Sequence, residues 1–196
     1  TGAVDDANGS AVVLEAARLL SMSGAKPKRT ILFCLWTGEE FGLLGSKYFV
    51  ENKTVDLDKI SNYFNRDGGP LCVTGITVPE AMYDDFVKVA APLEGYSEEF
   101  PFTVNKRQGE PRRRPMVAGG SDHAHFAMNG VPTISLSETD HKGYNFSYSE
   151  IWHTENDVYQ KVFPEYMEHS SVVAAVIVYG IANLDHLLSR EGLYKE

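Results

Sequence analysis

Carboxylates and a histidine recur at four separated places: the pair Asp5-Asp6, the pair Glu39-Glu40, Asp67 in an Asn-x-Asp pattern, and His153 within the run WHTEND. Taken singly, each has an ordinary structural account. An aspartate caps a helix, paired glutamates ride a solvated turn, an Asp before Gly68 makes a turn, and an isolated His packs. Taken together they fall where the surrounding pattern places strand ends and loops. Several carboxylates gathered at one edge repel unless a cation neutralises them. A divalent ion is the simplest remedy, and mixed Asp, Glu and His donors suit zinc, with two ions able to share a carboxylate at a spacing of roughly 3.5–4 Å.

The elements that must position these residues can be read from periodicity. Over residues 9–20, Val12, Val13, Ala16, Leu19 and Leu20 recur at helical spacing, and Gly24 with Pro27 ends the segment. Residues 29–36 (RTILFCLW) form a continuous apolar run bounded by turn residues, the pattern of a central strand covered on both faces. A helix is expected over 43–52, strands over 60–65 and 71–76, and a helix from Pro79 to about 93. Asn105 to Pro115 (NKRQGEPRRRP) is polar and basic and reads as a solvated loop. A short helix through Met128, a strand over 131–136 and a long helix from Pro164 to about 188 complete the pattern. Alternating strands and helices predict an α/β fold, a three-layer α/β/α sandwich with a mixed, largely parallel central sheet. In such folds catalytic groups gather at the carboxyl ends of strands.

With 196 residues, 43% hydrophobic and 23% charged, the composition is that of one globular domain. A formal net charge of −9 argues against nucleic acid as a partner. No apolar run approaches the roughly 18 residues of a membrane span, and the first residues carry no signal-peptide pattern. Thr1 in place of Met marks a processing site or a cut in a longer chain. Cys34 and Cys72 each lie in an apolar run without a CxxC partner and read as core thiols.

In order along the chain, GAVDDANGSAVVLEAARLL, RTILFCLWTGEEFGLLGSKYF, NRDGG, SDHAHF with GVPTISL, and WHTENDVY resemble the co-catalytic di-zinc aminopeptidase family, the bacterial leucyl aminopeptidase type to which glutaminyl cyclases are related. The resemblance covers essentially the whole chain. It implies a zinc exopeptidase fold and hydrolysis of N-terminal residues of peptides bearing a free α-amino group. By motif, Glu39 matches the general base, Asp5 the carboxylate bridging both metals, Glu40 and His153 ligands of one metal, and Asp67 a ligand of the other. Asp6, at a peptide bond that is often cis in the family, and Asp122 and His123 are placed behind the ligands, where they orient them. The family's His-x-Asp motif before the Asp5-Asp6 pair has no counterpart, so the resemblance implies a copy lacking its N-terminal portion, with one zinc site kept and half of a second. A single-zinc glutaminyl cyclase-like acyltransferase and a catalytically inactive binding module of the same fold are the competing readings. Family members are commonly exported, which implies an extracellular or periplasmic home. Oligomeric state is not legible.

Overall fold

The computed structural model describes residues 2–195. Thr1, read above as a cut or processed end, lies outside them. Helix α1 (Gly9–Met22) follows its apolar spacing, burying Val12 and Ala16, and the chain turns away where Gly24 takes φ 68°. Helix α2 (Leu44–Glu51) starts after Leu43, itself left-handed at φ 58°. Strand β1 (Cys72–Val78) is the centre of a three-stranded sheet. It pairs parallel with β2 (Thr103–Lys106) and antiparallel with β4 (Leu136–Thr139), so the sheet is mixed. A second, two-stranded parallel pair joins β3 (Arg112–Arg113) to β5 (Tyr194–Lys195).

Helices α3 (Tyr83–Ala90) and α5 (Pro164–Asn183) cover the sheet, while α4 (His123–Met128) sits with α2 in a separate cluster. The main core joins Val73, Ile76 and Val78 of β1 to Met82, Phe86 and Ile177. Complete burial of a side chain such as Phe86 contributes roughly 1.5–3 kcal/mol. Close approach of α3 to α5 requires Gly180, because a Cβ there would lie 2.6 Å from Val89 Cβ. Among the described residues no helix is long and apolar enough to cross a membrane.

The mixed α/β architecture and most helices follow the sequence expectation; several strands do not. Residues 30–36 form no strand, although Arg29 N–H bonds the Ala182 carbonyl, and Leu32 is 56% and Leu35 52% exposed. The expected covering on both faces is absent among the described residues, because no backbone ladder flanks the run. Residues 60–65 also fail to form a ladder. The Asn62 side-chain amide there makes both bonds to the Ile134 backbone, while Tyr63 N–H bonds the Pro132 carbonyl at 2.8 Å. The strand expected over 131–136 begins at Leu136, and α5 stops at Asn183, where Leu184 turns to ψ 153°. The basic loop is not wholly irregular, since Arg112–Arg113 pairs with the chain's end. Cys72 is fully buried and its thiol is pushed up to about 12, whereas Cys34 is only half-buried.

Candidate metal centre

Three donors from distant parts of the chain meet at one edge of the molecule. Oxygens of Asp5 and Glu40 and a ring nitrogen of His153 all lie within 4.8 Å of one another, and Glu40 Oε2 is 2.9 Å from His153 Nε2. Each donor is set by local backbone geometry. Asp5 and Asp6 belong to an irregular wide turn over Ala3–Asn8, with a cis peptide bond between them. Asp157 Oδ1 and Oδ2 accept the Val4 and Asp5 N–H groups at 2.7 and 3.2 Å, tying this turn to the loop that carries His153. His153 stands at φ 55°, a left-handed conformation that non-glycine residues seldom adopt and that is concentrated at functional sites. Glu40 lies in the turn before Leu43, where the Gly42 and Leu43 N–H groups both bond the Glu39 carbonyl. The Tyr148 hydroxyl donates to Asp5 Oδ2 at 2.6 Å.

The Asp5–Asp6 turn packs directly on the Asp67 segment. A Cβ on Gly9 would lie 2.1 Å from Asp6 Oδ1 and 2.4 Å from the Arg66 carbonyl, so only glycine fits at this crossing. Asp67 lies near Asp5, whose charge adds to the effect of burial in raising it, but outside the three-donor group. The Ser121 hydroxyl donates to Asp67 Oδ2, and Asn65 Nδ2 donates to Ser121 Oγ at 2.8 Å. Asp122 is buried and accepts from the Ser46 hydroxyl at 2.5 Å, while His123 is half-buried beside it with no partner for Nδ1. Behind the turn, Arg66 is paired with Glu138 in a largely buried bridge.

Asp5, Asp6, Glu39, Glu40, Asp67 and Asp122 line one cavity of about 320 Å³, together with Trp36, Phe41, Tyr63, Asn65, Arg66 and Ser121. The electrostatic result is crowding. Burial first, then the charges of Asp67, Glu40, Asp122 and Asp5, pushes Glu39 up to about 7. Burial and the neighbouring Asp67 carboxylate raise Asp6 to about 8, outweighing the lowering influence of Arg66. Asp67 and Asp122 are raised, mainly by burial, and burial lowers His123.

This donor set fits a divalent ion. Two oxygens and one imidazole nitrogen supply the three protein ligands of an open zinc site, and the accumulated carboxylate repulsion is what such an ion would relieve.

Fold and site together define an α/β protein with a candidate divalent-metal centre where its loops converge. The chain belongs to Peptidase family M28, whose model matches residues 1–178. Carboxypeptidase Q of Mus musculus is 28% identical over 194 residues, a match covering 96% of this chain and 37% of that protein. The chain therefore spans little more than a third of that relative's length. Among solved structures, a peptidase of the same family from Shewanella amazonensis is similar at a TM-score of 0.72 and 28% identity, covering 96% of this chain and 39% of that one. BSAP, a zinc aminopeptidase from Bacillus subtilis, shares the fold at a TM-score of 0.63 and 20% identity, covering 99% and 45%.

Of the site residues that the sequence proposes, Asp5, Asp6, Glu39, Glu40, Asp67 and Asp122 line the cavity, His153 meets Asp5 and Glu40, and His123 lies beside Asp122. The sequence assigned no role to part of the supporting cast: Ser46, Tyr63, Asn65 and Asp157. Tyr148, whose hydroxyl reaches Asp5, is absent from the sequence motifs. Asn65 and Ser121 open the motifs NRDGG and SDHAHF, which is a usable signal. Tyr63 and Ser46 carry none.

Proposed function

We propose that this chain carries the catalytic centre of a zinc-dependent aminopeptidase, with Asp5, Glu40 and His153 holding one ion, Asp67 facing a second beside the shared Asp5, and Glu39 acting as general base. The observation that carries the reading is the convergence of Asp5, Glu40 and His153 within 4.8 Å, with Glu39 lining the same carboxylate-rich cavity as Asp5 and Glu40. Zinc bound by this donor set supplies Lewis acidity, acidifying water and polarising the scissile carbonyl. Glu39, raised to about 7, is matched to accept a proton from the attacking water near neutral pH and to return it to the leaving amine. Asp122, held by Ser46, keeps a further buried carboxyl near Glu39.

The end of the peptide that enters follows from charge. Among the described residues lining the cavity, Arg66 is the one cation, and its guanidinium is paired with Glu138. A substrate's terminal carboxylate would meet a carboxylate-lined wall, whereas an α-ammonium group finds several acceptors. This supports cleavage at the amino end, although a relative is named a carboxypeptidase.

The test uses the zinc-loaded protein on aminoacyl-nitroanilides, on the same substrates with blocked amino groups, and on a peptide with N-terminal glutamine. Release of nitroaniline from free-amino substrates alone, abolished by chelation and restored by zinc, is expected. Cyclisation of the glutaminyl peptide without hydrolysis would replace the reading with an acyltransferase, and zinc binding without turnover of any substrate would leave a binding module.

A further inference from the structure

Behind the Asp67 carboxylate runs a series of polar contacts that no metal ligation requires. Trp36 Nε1 donates to the Tyr63 hydroxyl at 2.9 Å, and the Tyr63 hydroxyl donates to Asn65 Oδ1 at 3.0 Å. Asn65 Nδ2 donates to Ser121 Oγ at 2.8 Å, and the Ser121 hydroxyl donates to Asp67 Oδ2. The direction of this series is forced at its far end. An indole N–H can only donate, so the Tyr63 oxygen must receive there and its own proton must point onward. That proton needs an acceptor, which fixes the Asn65 amide with oxygen towards Tyr63 and nitrogen towards Ser121. The Ser121 hydroxyl, having received from Asn65, then donates to Asp67. Four dipoles are thus aligned head to tail on one carboxylate oxygen, and hydrogen bonds in such a chain polarise one another.

The framework that holds the chain is apolar and rigid. The Tyr63 ring stacks on Phe126 at 4.3 Å between centroids, Trp36 packs edge-on against Phe49, and Val50 and Val131 close the cluster. Residues 60–65 lack a full strand ladder, yet Tyr63 N–H is held by the Pro132 carbonyl and Asn62 is clamped to Ile134. The extended runs around Trp36 and Tyr63 therefore do more than line the cavity.

We propose that Trp36, Tyr63, Asn65 and Ser121 form a one-way hydrogen-bond relay that orients the Asp67 carboxylate and sustains its negative charge towards a divalent ion, with Tyr63 as the positioning residue at its centre. The relay rests on the reading of Asp67 as a metal-facing group. It commits Oδ2 to Ser121 and leaves the other oxygen for the ion. It also makes an aromatic residue with no contact to the donor trio part of the metal site's affinity.

Zinc titration of the metal-free full chain by calorimetry, for the wild type and for Tyr63→Phe, Ser121→Ala, the double variant and Asp67→Asn, tests it. Tyr63→Phe keeps the ring stack and is expected to weaken zinc binding about tenfold, at the lower end of what loss of an outer-sphere partner does. Thermal unfolding of the metal-free Tyr63→Phe protein should stay close to wild type. Because Tyr63 acts only through Ser121, the double variant should bind zinc no worse than Ser121→Ala alone. Wild-type zinc affinity in Tyr63→Phe, a lowered melting temperature without a change in zinc affinity, or a double variant whose loss is the product of the single losses would each overturn the relay. Asp67→Asn separates the two layers. If it binds zinc as wild type does, the metal-facing reading of Asp67 fails with the relay, whereas lost affinity in Asp67→Asn beside unchanged Tyr63→Phe overturns the relay alone.

Discussion

The two halves of the centre are held in opposite ways. Glu40 and His153 are half exposed, at 50% and 56%, and their side chains meet at 2.9 Å. Backbone places them there: a left-handed His153, a tight turn at Glu39–Leu43, and Asp157 bonding two N–H groups of the opposing turn. Asp67 is fixed by side chains instead, through Ser121 and the contacts behind it. A backbone-placed donor set leaves its side chains free to adjust around an ion. A set placed by buried dipoles is formed before the ion arrives. Burial first raises the affinity of Glu39 for protons, and both halves add to it, through Asp67 and through Glu40.

This contrast can be broken in several ways. The largest effect is expected at the residue that belongs to both halves. Glu39→Gln should lower kcat by roughly 10²–10⁴-fold, the usual worth of a general acid-base group, while zinc content stays at wild-type level; retained turnover sinks the assignment. Next, His153→Ala removes a direct donor of the exposed half. Its loss of zinc affinity should exceed the roughly 10–100-fold typical of outer partners, with little change in the melting temperature of the metal-free protein. If His153→Ala unfolds the metal-free chain, the claim that backbone alone sets this half is wrong.

The join between the halves is probed by Gly9→Ala. Its new Cβ would overlap Asp6 Oδ1 and the Arg66 carbonyl, so a cost of about 1–3 kcal/mol in chemical denaturation is expected. A neutral result would mean that the Asp5–Asp6 turn is free to move away from Asp67.

A further effect is pH-dependent. Asp6 at about 8 and Glu39 at about 7 hold protons in the folded state that the unfolded chain, with carboxylates near the ordinary value of about 4, has released. The folded state therefore binds more protons across this window, and stability must fall as pH rises. The metal-free protein should melt at a lower temperature at pH 8 than at pH 5, and saturating zinc should narrow or reverse the difference. A metal-free protein that gains stability between pH 5 and pH 8 would show that carboxylate crowding does not govern this region.

The site was legible to the extent that its donors sit in short local motifs. Asp5-Asp6, Glu39-Glu40, the Asn-x-Asp of Asp67 and the WHTEND run around His153 can be recognised without any coordinates. Their partners cannot. Tyr148 bonds Asp5 across 143 residues, and Ser46 bonds Asp122 across 76, with nothing at either position to mark the pairing. The fold divides along the same line. Helices α1, α3 and α5 emerge from apolar spacing because an α-helix satisfies its backbone within its own segment. The runs at 29–36 and 60–65 have strand-like composition, but a strand exists only where another stretch of backbone supplies its hydrogen bonds.

What the sequence by itself determined, then, is the chemistry on offer and the helical skeleton, since donor types and helical periodicity are local properties. Only the tertiary structure decided which carboxylates share one cavity, which of them keep a proton near neutrality, and which are braced from behind. Those outcomes depend on distance and burial between segments remote in the chain, and an amino-acid order does not contain either quantity directly.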